Sequence, residues 1–242
     1  MAIADNLMAF WELEEASGDR ADSKGSNTLS VGNSCGREVG KVGYAALFTS
    51  ALSEYLYCAT NAALEMGDID FTIAGWFNNY AGGWPGLVLK SNGAGNEDYK
   101  IAIDYANYAV VANFNGADGI SVTSANNSAS SWSYHYFVVW HDAANDLLGV
   151  SVDNATPVTQ ATGGLAPEVS SARFQISGDQ GGSANYCNGP IDQVGLWKRV
   201  LTSDERTWLY NSGNGRAYSE FGSSNQLTVN VYESTIVDEF NG

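Results

Sequence analysis

The chain has 242 residues, of which 44% are hydrophobic and only 16% charged, with 27 Gly, 13 Tyr and 7 Trp. Few charges, much glycine and many aromatics exclude a disordered chain and describe a turn-rich β protein with one large core. The formal net charge of −16 repels polyanions, so nucleic acid is not an expected partner, and it leaves carboxylates for a hard cation such as calcium.

Apolar residues recur mostly with period two between turn clusters, the mark of half-buried strands. Phe71 to Phe77 is apolar on both faces, which predicts a central strand covered on both sides. Gly86–Lys90, Tyr99–Tyr105, Ala109–Phe114 and Ile120–Ser124 follow as strands, separated by glycine and asparagine clusters. Tyr134, Tyr136, Val138 and Trp140 share one face of the next strand. Leu148, Val150 and Val152 share a face of another, and Asp153-Asn154 then offers a tight turn. Arg173–Ser177 and Ile191–Lys198 complete the set. Thr202-Ser203-Asp204-Glu205 is a capping-box pattern that predicts one short helix starting after Thr202 and stopping at Gly213. Beyond Tyr218 the character changes: Ser219 to Asn225 is a polar linker, and Leu227, Val229 and Val231 alternate before Ile236-Val237. The chain therefore divides into a body at 1–218 and an extension at 219–242. That tail either extends a sheet edge or pairs as a strand with another subunit. Many short strands with frequent turns predict an all-β, two-sheet antiparallel jelly-roll sandwich with one short helix and a C-terminal strand tail.

Several blocks carry a resemblance. Asp70-Phe71-Thr72-Ile73-Ala74-Gly75-Trp76-Phe77 resembles the DFTIxxW strand of laminin-G-like, concanavalin A-like domains. Trp11 to Gly18 with Asp22-Ser23, Gly43 to Tyr57, Trp132 to Asp142, Val150 to Asn154, Gly189 to Trp197 and Leu201 to Tyr210 are similar to further blocks of that family, in its order. The resemblance covers Leu7 to Tyr218. Asn154 replaces the usual hairpin glycine and Gln193 the usual acid. The resemblance implies a jelly roll that binds glycans or proteins, as modules do on cell surfaces, secreted enzymes or phage particles; it implies no reaction, and fold alone never settles function.

Three cysteines, Cys35, Cys58 and Cys187, allow one bridge at most; spacing leaves free thiols and a Cys58–Cys187 pair both open. Gly32-Asn33-Ser34-Cys35-Gly36 matches G-x-S-x-G, but no helical period follows, so no nucleophile elbow is expected. Sugar hydrolysis needs two carboxylates flanking one bond. The E-x-D-x-x-E string of sandwich-fold glucanases is absent from the sequence, so the chain is read as no enzyme. His135 and His141 share one strand about 20 Å apart and cannot share a metal. Calcium is the metal expected: the resemblance places Asp192 near the chain's start, where related domains hold a structural ion, and Asp22 is its expected partner. A glycan site needs aromatic faces for sugar C–H surfaces and amides for hydroxyls. Trp84, set between glycines and Pro85, is the expected centre, with Tyr80, Tyr105, Tyr108 and Asn113 as neighbours. Trp11, Trp76, Trp140 and Trp197 are assigned to packing.

The expected function is a non-catalytic carbohydrate-binding or adhesive module. The alternatives are a structural virion protein, such as a capsid decoration or tail-associated subunit, and an accessory module of a polysaccharide-active protein. The partners follow as a glycan, or a virion or cell-surface protein, with a homo-oligomer open through the tail. No stretch approaches the ~20 apolar residues of a membrane span, so membrane insertion is not expected. MAIADNLMAFWELEE has no basic n-region and no secretory apolar run. A virion or extracellular surface without a secretion signal points to a phage, whose subunits leave the cell by lysis.

Overall fold

The computed structural model describes residues 2–80, 84–91, 97–114, 119–179 and 185–222. Fifteen strands form two antiparallel sheets among these residues. The first sheet runs in the order β13 (Val158–Ala161), β12 (Leu147–Val152), β11 (Tyr134–Asp142), β6 (Phe71–Asn78), β15 (Gly189–Trp197), β4 (Tyr44–Phe48) and β3 (Gly36–Val39), with β1 (Leu7–Trp11) also on β15. The second runs β10 (Ile120–Thr123), β9 (Ala109–Phe114), β8 (Glu97–Asp104), β7 (Gly86–Ser91), β14 (Phe174–Ile176), β5 (Tyr55–Cys58) and β2 (Ser30–Gly32). This is the predicted sandwich, with strand limits within a few residues of those read from periodicity.

Strand β6 shows why the pattern was doubly apolar. Phe71, Ile73 and Phe77 point between the sheets with Phe137, Val139, Leu148, Val150 and Val152. Ala74 and Trp76 point the other way and join Tyr136, Val138, Trp140 and Trp197 in a second cluster. Helix α1 (Ser203–Tyr210) and Phe221 cover that outer face through Leu209, Trp208 and Tyr210. Trp11, Trp76, Trp140 and Trp197 are all buried, as assigned.

The helix begins as predicted. Thr202 Oγ1 accepts from the Glu205 main chain and the Glu205 carboxylate accepts from Thr202 N, the reciprocal capping box. Glu205 also receives both terminal nitrogens of Arg199, at 2.6 and 2.7 Å. The C-terminus departs from expectation. Asn211, left-handed with φ of 49°, caps the helix two residues before Gly213, which is itself left-handed at φ of 84°. Asparagine tolerates that region better than most residues, so the earlier of two suitable residues ends the helix. Tyr218–Glu220 forms a 3-10 turn, and Phe221 is buried against Phe10, Trp208 and Tyr218. The alternating strand predicted around Leu227 lies outside the described residues.

The Asp153-Asn154 turn has both residues left-handed, with φ of 51° and 57°, as a tight hairpin requires. All three cysteines are free thiols. Inside the sandwich, Lys90 Nζ meets Asp98 Oδ2 at 2.5 Å, with both side chains fully buried. Ser170 completes the knot, its carbonyl accepting from Lys90 and its N–H donating to Asp98. Lys90→Ala strands the carboxylate in a dry site and is expected to cost about 3–5 kcal/mol. Urea denaturation checks this; a loss under about 1 kcal/mol would mean that water reaches Asp98.

Candidate functional site

One end of the sandwich gathers exposed aromatic rings. It is the end where β6 leaves the first sheet and β7 enters the second. The segment after β10 crosses it from sheet to sheet. Asn127 N donates to Asn107 O, Ala129 N to Tyr108 O and Trp132 N to Asn79 O, at 2.7–3.0 Å. Those bonds lay Trp132 beside Tyr80, 52 positions away in the sequence. The rings stack with centroids 4.6 Å apart and planes 12° from parallel.

Trp132 is the centre of this arrangement. It is 70% exposed and left-handed, with φ of 66°. A bulky residue in that region is an outlier, and strain of this kind collects at functional sites. Tyr80 is held from below. Its main-chain N–H donates to Asn188 O at 2.7 Å, and its hydroxyl donates to Glu38 Oε1 on edge strand β3. Burial, then the Glu38 hydrogen bond, pushes the Tyr80 hydroxyl well above the usual tyrosine range, so it stays a donor. Tyr134 lies alongside and donates to Val39 O at 2.9 Å. Gly189, with φ of 136°, makes the close approach possible, since a Cβ there would sit 2.0 Å from Asn78 O. Two occluded polar atoms of neighbouring residues, Asn78 Oδ1 and Ser131 Oγ, have no hydrogen-bond partner among the described residues.

The structure places the sequence-predicted residues as follows. Trp84 is 51% exposed at this same end, since Ile103 N donates to Pro85 O. Tyr105 and Tyr108 meet in the β8–β9 turn with centroids 5.0 Å apart. Asn113 stands apart: it pairs with Lys100 and Ser121 in mid-sheet, five residues and about 16 Å along β9 from Tyr108. Trp132 was missed because the sequence reads it as the first residue of a family strand. The strand begins at Tyr134 instead. The one available sign was a tryptophan in a serine-rich stretch, Ser130-Ser131-Trp132-Ser133.

The two expected calcium ligands differ. Asp22 Oδ1 accepts from Phe10 N and Lys24 N, each at 3.0 Å. Its Oδ2 accepts from Asn27 N at 3.0 Å and Asn27 Nδ2 at 2.8 Å. Four N–H donors leave no lone pair for a cation, so Asp22 does not fit the role; it ties its loop to β1. Asp192 Oδ2 accepts from Lys41 N and Val42 N, at 2.7 and 2.9 Å, while its buried Oδ1 has no partner. Burial, more than the charge of Glu14, pushes the Asp192 carboxyl up to about 8. No group of three or more His, Cys, Asp or Glu able to hold a metal occurs among the described residues. Asp192 alone therefore keeps an oxygen to offer. His135 bonds Asp153 Oδ2 at 2.7 Å and His141 bonds Ile69 O at 3.0 Å, both through Nδ1, so each is tied into the fold.

Shallow clefts lie at this end, lined by Phe77, Asn79 and Ile103, and under α1, lined by Trp76, Tyr136 and Leu209. No helix among the described residues is long and apolar enough to cross a membrane.

Solved structures with the same fold are numerous. The binding domain of Paraclostridial Mosquitocidal Protein 1 superposes with a TM-score of 0.70 at 17% identity, covering 87% of this chain and 53% of that one. Domain 4 of the extracellular arabinanase AbnA of Geobacillus stearothermophilus, in complex with arabinotriose, gives 0.64 at 11% identity, covering 87% and 98%. The binding domain of Botulinum Neurotoxin DC, in complex with SialylT, gives 0.63 at 12% identity, covering 87% and 52%. The chain thus spans about half of each toxin binding domain and nearly all of the arabinanase domain. No curated protein sequence matches. A family model, described as the concanavalin A-like lectin/glucanases superfamily, matches residues 48–205, well over half of the chain. The chain belongs to the concanavalin A-like lectin/glucanases superfamily, in its laminin-G-like branch.

Proposed function

We propose that this module binds a carbohydrate laid across the Tyr80–Trp132 stack. The observation that carries the reading is Trp132: a large aromatic face, 70% exposed, held in a strained backbone and backed by a second ring. A sugar's C–H face packs on such a ring, and its hydroxyls reach the Glu38 carboxylate. Trp84 and the Tyr105–Tyr108 pair extend the aromatic end and fit a chain of several sugar units. The structures of this fold solved in complex with arabinotriose and SialylT support a glycan-binding role for the fold. The module then works where glycans are displayed, on an extracellular or particle surface.

The test is a glycan array followed by calorimetry on the full chain. Binding of at least one oligosaccharide is expected, lost in Trp132→Ala and weakened in Trp84→Ala. Retention of full affinity by Trp132→Ala would place the site elsewhere. Calcium enters this reading only at Asp192. Melting with calcium and with chelator tests it: a calcium-dependent rise that disappears in Asp192→Asn supports an ion there, and identical curves remove it.

A further inference from the structure

The eleven lysines and arginines all fall within the described residues, which fixes where positive charge sits. Tyr80 and Tyr134 donate instead to Glu38 Oε1 and Val39 O, and Trp132 stacks on Tyr80. The neighbour in sequence, Arg37, lies over the Tyr44 ring at 3.9 Å. Successive strand residues point to opposite faces, so Arg37 leaves the face that carries Glu38. Lys41 is drawn to the Trp76 ring, 5.0 Å away. Lys90, Lys100, Arg199 and Arg216 are held in ion pairs. Six of the eleven cations are thus engaged elsewhere than on Tyr80, Trp132 or Glu38, in a chain already at −16.

What the stack carries is an acidic acceptor. Glu38 gives one oxygen to Tyr80 and its other accepts no donor among the described residues. An acidic acceptor favours a ligand rich in donors and disfavours a carboxylate.

We propose that the platform selects neutral and amino sugars and rejects sialylated and uronic ones, because the Glu38 carboxylate faces the ligand. This rests on the carbohydrate reading above. It separates the chain from structures of this fold solved with sialylated ligands, such as the Ruminococcus gnavus IT-sialidase CBM40 bound to alpha2,3 sialyllactose, at 15% identity.

The experiment compares three trimers at pH 6 on the full chain: glucosamine, N-acetylglucosamine and galacturonic acid. Glucosamine is expected to bind best and galacturonic acid worst, at least about tenfold apart at low salt. The gap is expected to narrow at about 0.3 M salt, as screened charges require. Glu38→Gln keeps the acceptor for Tyr80 and is expected to close most of the gap. Trp132→Ala is expected to remove binding of every trimer. Galacturonic acid bound as tightly as glucosamine, and lost in Trp132→Ala, overturns the charge selection while leaving the platform intact. Binding that survives Trp132→Ala, or no binding by any trimer, removes the platform reading and this inference together.

Discussion

Trp132→Asn is expected to abolish glycan binding and leave the protein about as stable as before. The binding side follows from where tryptophan contributes most: a central aromatic anchor costs about 2 kcal/mol or more when removed, about thirtyfold in Kd. The stability side is a near-cancellation. Trp132 is 70% exposed, so little apolar burial is lost. Losing its stack on Tyr80 costs about 0.5–1.5 kcal/mol. Against this, a left-handed bulky residue stores about 1–3 kcal/mol, and asparagine visits that region at lower cost. The sum lies within about 1 kcal/mol of zero. Calorimetric binding and urea denaturation on the same sample check both halves. A loss of several kcal/mol of stability would mark Trp132 as a packing residue and undo the argument from strain.

Asp192 is expected to make the protein less stable as pH rises from about 4 to about 8 in calcium-free buffer. Its carboxyl sits at about 8 in the folded protein, against an ordinary 3.8. Between these values the folded chain keeps a proton that the unfolded chain has released. The folded state binds more protons there, so unfolding free energy falls with rising pH and levels off above about 8. The gap from 3.8 to about 8 corresponds to about 6 kcal/mol as an upper bound. Asp192→Asn is expected to flatten the slope. An amide oxygen still accepts from Lys41 N and Val42 N, and the neighbouring Gln193 Oε1, itself buried without a partner, is an acceptor for the new NH2. Denaturation midpoints at pH 5 and pH 8 decide the matter. Equal slopes in wild type and variant would show that Asp192 stays ionised in the folded state.

Both residues show what periodicity can and cannot convey. Tyr134 to Trp140 was legible because alternate side chains meet two different apolar layers, and hydrophobicity alone records that. The capping box was legible because its bonds are local, from Thr202 to Glu205. The helix stop was misjudged because Asn211 and Gly213 both suit a left-handed cap, and the choice falls to the residue reached first. Asp22 and Asp192 looked alike as acids. One is filled by four nearby N–H groups, the other half-filled by a hairpin 150 positions earlier in the chain. The bulge between Asp192 and Gly195, with Gln193 at φ of 51°, is likewise invisible in a strand whose pattern is continuous.

The sequence by itself determined the sandwich, its central strand, the start of its helix and the choice of aromatic loop residues as the place to look. Strand period, turn chemistry and capping act over a few residues, so a one-dimensional pattern carries them. Only the tertiary structure decided that Trp132 meets Tyr80 and that Asn113 lies elsewhere. Those facts depend on which loops cross which end of two packed sheets, a relation between residues many tens of positions apart that local chemistry does not encode.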